Sequence, residues 1–196
     1  MKEAYVDTGL VNLAYFHFPH INDDSYLSAL ATECAGGQGE FWAYHDTLYV
    51  NQGSGGRGVE RLEGFAEDLG LDMDGFTGCM EARTYDGVIQ RDINLARQNE
   101  VSVTPTIFVL SADPNRTGTK FDGSPSFEDI SRVIDELLIA PAPTPTATPL
   151  PPTPVPTPTP TPVSNDTSVS EPVARGWNVL GSPDAPVTLE DFTDFQ

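Results

Sequence analysis

Two cysteines, three histidines and a threonine-proline pair are the residues of this chain whose types could do chemistry, and their spacing limits what that chemistry can be. Cys34 and Cys79 are too far apart for a redox Cys-x-x-Cys and too few for a zinc site of their own. They read as one bridge or as two buried free thiols, and composition alone leaves both open. Neither has a cysteine partner two residues away or an obvious cationic neighbour in sequence to lower its pKa, so neither reads as a nucleophile. His17 and His20 lie at a strand end and in a loop without paired spacing to each other or to Cys34, and no metal is expected. Phe41, Trp42 and His45 could form an aromatic groove or set a histidine beside a thiolate, but core packing with a polar edge is the weightier reading. Thr104-Pro105 opens a β-rich run, where a proline needs no ladder donor and an ordinary trans bond is the plain expectation.

The elements that must position these residues are legible from periodicity. Residues 9 to 18 mix apolar and aromatic side chains between Gly9 and Pro19 and predict a buried strand, preceded at Tyr5 and Val6 by the tail of a helix. Tyr26, Leu27, Leu30 and Ala31 predict a helix from about Asp24 to Ala35, with Asp23 or Asp24 as N-cap and a break at Gly36-Gly37. Phe41, Trp42, His45, Leu48 and Tyr49 predict a second helix with an aromatic face, followed by a glycine-rich loop over residues 52 to 58. Leu62 to Leu69, the short stretch around Phe76, Cys79 and Met80 capped by Asp72, and Val88 to Ala96 complete an almost wholly helical block. Residues 104 to 110 and 120 to 123 predict two strands joined by a turn. Ser126 then begins a last helix, with a capping-box-like pairing to Asp129 and an apolar face of Ile130, Val133, Ile134, Leu137 and Leu138.

Composition bounds the rest. Ten Lys and Arg against 29 Asp and Glu give a net charge of −19, which repels phosphate backbones and anionic membrane surfaces, so nucleic acid is not an expected partner. There is no apolar run of roughly 18 residues, and Met1 to Tyr5 carries no apolar leader core. From Pro141 to about Pro172 the chain alternates Pro and Thr, which lacks both donors and apolar mass. It predicts a disordered linker favouring extended polyproline II over residues 141–175. Asn115-Arg116-Thr117 and Asn165-Asp166-Thr167 match the glycosylation sequon, a weak three-residue pattern.

Four phrases then occur in a telling order: Tyr5-Val6-Asp7-Thr8-Gly9-Leu10-Val11; Cys34-Ala35 with Gln38-Gly39-Glu40-Phe41-Trp42 and His45-Asp46; Leu69-Gly70-Leu71-Asp72 with Phe76 and Cys79; and Val103-Thr104-Pro105-Thr106. Together they resemble the DsbA-like thiol-disulfide oxidoreductases over residues 1–140. Gly181 to Pro186 and the strand pattern after it, over residues 176–196, resemble the first strand of the same family. The resemblance implies an α/β, thioredoxin-like fold with an inserted helical block. The helix bearing Cys-x-x-Cys is lacking, and a Pro/Thr-rich linker and a single strand follow. It implies that Pro105 is the cis proline facing the redox dithiol and that Thr104 presents an edge to a substrate peptide. It implies a structural disulfide between Cys34 and Cys79 worth roughly 4 kcal/mol in the chain-entropy model.

By the same resemblance, residues 187 to 193 belong between the strands at 10 to 16 and 106 to 111. Two arrangements are open: the tail returns to fill that place, as in a circular permutation, or it opens a further domain of a tandem protein, the arrangement favoured on biological grounds. The implied function is an extracytoplasmic thiol-disulfide oxidoreductase whose redox dithiol is absent from these residues. It needs no cofactor, and its partners are client polypeptides with thiols or disulfides, with a membrane redox protein as a further candidate. The alternative is a redox-inactive peptide-binding or chaperone module on a stalk.

Overall fold

The computed structural model describes residues 1–52, 58–114, 116–139 and 176–195. The predicted linker at 141–175, most of the glycine-rich loop, and Asn115 and Asn165 of the two sequons lie outside the described residues.

A five-residue π-helical turn, Lys2–Val6, leads into β1 (Val11–His17). The helical block follows as α1 (Asp23–Gly36), α2 (Phe41–Val50), α3 (Val59–Asp68), α4 (Met73–Ala82) and α5 (Asp86–Gln98). Next come β2 (Thr106–Ser111), β3 (Thr119–Asp122) and α6 (Phe127–Ile139). Beyond residues 140–175 the chain resumes with β4 (Val179–Leu180) and β5 (Val187–Thr193). The five strands form one sheet in the order β3-β2-β5-β1-β4.

β5 is the centre of that sheet. It runs parallel to β1, from Val11 opposite Val187 to His17 opposite Thr193, and antiparallel to β2, from Thr106 opposite Phe192 to Ser111 opposite Val187. This is the slot that the resemblance assigns to residues 187 to 193. The tail holds one strand more than expected, because β4 pairs antiparallel with β1 at Leu13 and Ala14. Two residues are too short for an alternating pattern to betray them.

Each face of the sheet has its own apolar layer. Val187 and Leu189 join Val11 and Val109 beneath Ile130, Val133 and Ile134 of α6, with Val6 of the N-terminal turn closing the layer. Phe192 stacks on Phe16 at 4.8 Å and meets Phe108 edge-on at 5.7 Å, within the cluster that continues into the helical block.

α1 ties that block to the tail. Its N-cap is Asn22 rather than Asp23 or Asp24: the Asn22 backbone is extended, its side chain accepts from Ser25 N at 3.0 Å, and its own N–H donates to Ser25 Oγ at 3.3 Å. The two aspartates occupy the first turn instead, where carboxylates favour the helix dipole. Near its other end, Glu33 accepts from the indole N–H of Trp177 at 3.0 Å and pairs with His17 Nε2 at 2.9 Å. A Cβ on Gly36 would sit 2.7 Å from the Trp177 ring, so this close approach requires glycine. Cys34 is joined to Cys79 of α4 by a disulfide with a Cα–Cα distance of 5.9 Å.

Asp72 precedes α4 as expected, but its side chain makes no cap hydrogen bond. The Gln38 amide takes over that junction, accepting from Asp72 N at 2.8 Å and donating to Asp72 O at 3.1 Å. At the head of α6, Ser126 Oγ accepts from Asp129 N at 3.1 Å and donates to the Asp129 carboxylate at 2.6 Å.

Because Phe192 is fully buried between two other rings, Phe192→Ala should lower unfolding stability by about 3–5 kcal/mol. Denaturant titration would show this as a lower midpoint at unchanged slope.

Candidate functional site

The C-terminal end of β5, the start of β2 and one face of α2 enclose a cleft of about 450 Å³. α2 supplies His45 and Tyr49, with Gln52 just beyond its end. Thr104, Pro105 and Ile107 come from the entry to β2, Ser124 and Pro125 from the turn before α6, and Asp191, Thr193 and Asp194 from β5 and its end.

The Thr104–Pro105 peptide is cis. The loop is fixed from behind: Thr106 Oγ1 donates to Val103 O at 2.8 Å, and Pro105 O accepts from Gly123 N at 2.8 Å. No hydrogen bond from the described residues reaches the backbone of Thr104, which is half-buried at the cleft.

The opposite wall is aromatic. The Tyr49 hydroxyl lies 3.1 Å from Thr193 Oγ1, and burial pushes its pKa up to about 12. His45 is surrounded by Tyr15, edge-on at 4.9 Å, Tyr49 at 4.8 Å and Trp42 at 5.1 Å. Its Nδ1 lies 2.9 Å from Asp46 Oδ1, yet burial dominates and lowers its pKa. The imidazole is therefore both packing and cleft wall. Phe41 is wholly in the core and Trp42 packs against it.

Asp194 is structural within this site. Its carboxylate accepts from His20 N at 3.0 Å and Ile21 N at 3.3 Å, while Thr193 O accepts from Phe18 N at 2.9 Å, binding the loop after β1 to the end of β5. Asp191 has a different environment. Its Oδ1 is buried with no hydrogen-bond partner among the described residues, and desolvation raises its pKa to about 7. Alternation along β5 puts Asp191 on the face of Val187 and Leu189. That carboxylate among apolar alternates is the signal by which the sequence could have disclosed it.

Thr104 and Pro105 thus share the cleft, whereas Cys34 and Cys79 lie in the helical block, locked to each other. His17 is buried against Glu33, and Asp92 accepts from its backbone N–H at 3.1 Å. His20 is held by Asp194. Among the described residues no group of three or more His, Cys, Asp or Glu could hold a metal ion, and no helix is long and apolar enough to cross a membrane. Tyr49, Gln52, Ser124, Thr193, Asp191 and Asp194 were not marked by the sequence as site residues.

A family model described as thioredoxin matches residues 1–136, more than two thirds of the chain. The chain belongs to the thioredoxin family. Among curated relatives it is 33% identical to the Na(+)/H(+) antiporter NhaA 1 of Salinispora arenicola, over 68% of this chain and 20% of that protein. It is 27% identical to the probable disulfide bond formation protein D of Bacillus cereus, over 70% of this chain and 63% of that protein. A second protein of that name, from Bacillus anthracis, is 26% identical over the same shares. The alignments thus span a fifth of the antiporter and somewhat under two thirds of the disulfide bond formation proteins. No solved structure matches significantly.

In this thioredoxin-family domain the raised pKa of Asp191 has a definite sign. Below the unfolded value near 3.8 both states are protonated and there is no penalty. As pH rises towards about 7 the unfolded state ionises first, so stability falls and then levels off. At one pKa unit per 1.36 kcal/mol the loss is on the order of 4 kcal/mol. Asp191→Asn should therefore leave stability at pH 4 nearly unchanged and raise it by a few kcal/mol at pH 8, measured by urea unfolding at both pH values.

Proposed function

We propose that this chain is part of a thiol-disulfide oxidoreductase acting on client polypeptides outside the cytoplasm, and that the cleft at Thr104 and Pro105 is where the client is held. The observation that carries this reading is a juxtaposition. A backbone segment at Thr104 that takes no hydrogen bond from the described residues and a buried carboxyl titrating near neutrality at Asp191 line the same cleft. Thiol-disulfide exchange proceeds through a thiolate, so a thiol proton must be taken up and later returned. A carboxyl with a pKa of about 7 does both at neutral pH. The free edge at Thr104 suits an extended client, which would pair with it as an added strand.

Membership of the thioredoxin family and likeness to two disulfide bond formation proteins support an oxidoreductase-like role. Both cysteines of the chain are engaged in the Cys34–Cys79 bridge. On the oxidoreductase reading, the redox dithiol would be supplied by residues outside these 196. The bridge itself suits an oxidising compartment. Clients carry thiols or disulfides, a membrane redox protein is the partner that would reset the dithiol, and the charge of −19 disfavours nucleic acid. The engagement of both cysteines also keeps a second reading in play, a redox-inactive peptide-binding module that uses the same cleft.

A titration of the labelled chain with an extended peptide carrying one reduced cysteine, followed by NMR, tests the cleft. Resonances of Thr104, Ile107, Ser124 and Thr193 should shift, and Ser124→Trp, which fills the cleft, should weaken binding at least tenfold. A longer protein that includes a Cys-x-x-Cys, assayed on a reduced unfolded client, then separates the readings: turnover supports the oxidoreductase, and binding without turnover supports the module. Absence of any shift at millimolar peptide would sink both.

A further inference from the structure

The central strand of the sheet, β5, is separated in sequence from β1, β2 and β3 by residues 140–175. Among the described residues, the contacts that hold it are made by residues 176–195 with residues 1–139. β5 pairs on both sides, with β1 and β2. Val187, Leu189 and Phe192 are at most 3% exposed. Trp177 donates to the buried Glu33 at 3.0 Å, the Asn178 side chain donates to Tyr15 O at 2.8 Å while Tyr15 N donates back to Asn178 O at 3.0 Å, and Asp194 accepts from His20 and Ile21. None of these contacts depends on which copy of the chain supplies the tail.

We propose that the slot between β1 and β2 is an acceptor site for residues 176–195 of a second copy, so that chains brought to high local concentration exchange β5 and link body to tail. The occupant is a second copy because the recognition elements on each side are complete within this sequence. The slot matches the strand in register, the pocket beside Gly36 admits only a glycine opposite the Trp177 ring, and the buried Glu33 takes its indole N–H. A residue spans at most about 3.6 Å of extended chain, and residues 140–175 are long enough to serve either their own body or a neighbour's.

The closed and exchanged forms share one interface, so their balance is set by effective concentration. For a tethered segment this is on the order of millimolar with a short flexible tether, and it falls as the tether lengthens. Dilute chains therefore close on themselves, and crowded or surface-clustered chains exchange. The exchanged contact joins two different surfaces, so it propagates head to tail and is not limited to a pair.

Paired cysteines read the exchange directly. Asn12 and Thr188 face each other across β1 and β5, and the two native cysteines are already joined to each other. The N12C and T188C single variants of the 196-residue chain are mixed, incubated from micromolar to millimolar concentration at a temperature just below the unfolding midpoint, and oxidised. A covalent N12C–T188C heterodimer is expected on non-reducing gels, its share rising roughly in proportion to concentration. The N12C/T188C double variant should be monomeric when dilute and give a ladder when concentrated.

A control that needs no added cysteine uses a labelled peptide of residues 176–195 with the unmodified chain. The peptide should co-migrate with the folded protein at millimolar but not micromolar concentration, and the same peptide with Phe192→Asp should not. Monomer alone at every concentration, with no heterodimer and no peptide uptake, overturns the proposal. So does a heterodimer no more abundant than the N12C–N12C product of random collision.

Discussion

The pairing of β5 with both β1 and β2 is the constraint on which everything else rests. Two facing strands separated by an empty slot would each bury a row of unpaired N–H and C=O groups, a cost no packing of side chains offsets. Filling the slot satisfies both rows and delivers Val187 and Leu189 to one apolar layer and Phe192 to the other. The same strand ends at Asp191, Thr193 and Asp194, so the cleft is made by the event that completes the sheet. Asp194 and the Thr193 carbonyl then pin the loop after β1 through His20, Ile21 and Phe18, which makes the cleft wall a consequence of strand pairing.

α1 transmits that constraint to the helical block. Glu33 meets the His17 ring and the Trp177 indole N–H, Cys34 is bridged to the α4 cysteine, and Gly36 lies against the same Trp177 ring. The buried Glu33 carboxyl has a polar partner at each oxygen, His17 Nε2 at Oε1 and the donating Trp177 indole N–H at Oε2. The bridge adds stability by restricting the unfolded chain, roughly 4 kcal/mol for a loop of this length in the entropy model. The helical block is therefore coupled both to the tail that completes the sheet and, through α2, to the wall of the cleft.

What the sequence disclosed follows the reach of each signal. Helices and long strands were legible because apolar spacing is local: the Tyr26 to Ala31 pattern and the alternation at 187 to 193 both correspond to observed elements. The exchange of Asp23 or Asp24 for Asn22 as N-cap is a local error, since Asn and Asp both cap and only backbone geometry decides which of the three residues is extended. Strand order is not local. Nothing in residues 187 to 193 says which strands flank them, and only the resemblance supplied the neighbours. The two-residue β4 and the Gln38 clasp on Asp72 depend on distant partners and left no periodic trace.

Asp191 illustrates why a site can hide in a well-read element. A strand pattern sorts residues by face, and an aspartate on the face of Val187 and Leu189 is an exception that the pattern alone treats as noise. Physically it is the opposite of noise. A carboxylate in an apolar layer can be relieved by a cation, by hydrogen bonds or by holding its proton. Among the described residues no lysine or arginine lines the cleft, and burial keeps His45 towards its neutral form. Oδ1 has no hydrogen-bond partner among the described residues. A chain of net charge −19 adds no favourable field for another anion. The proton is the remaining remedy, and a group that keeps its proton up to about neutral pH beside an open cleft is placed to exchange it with whatever the cleft holds.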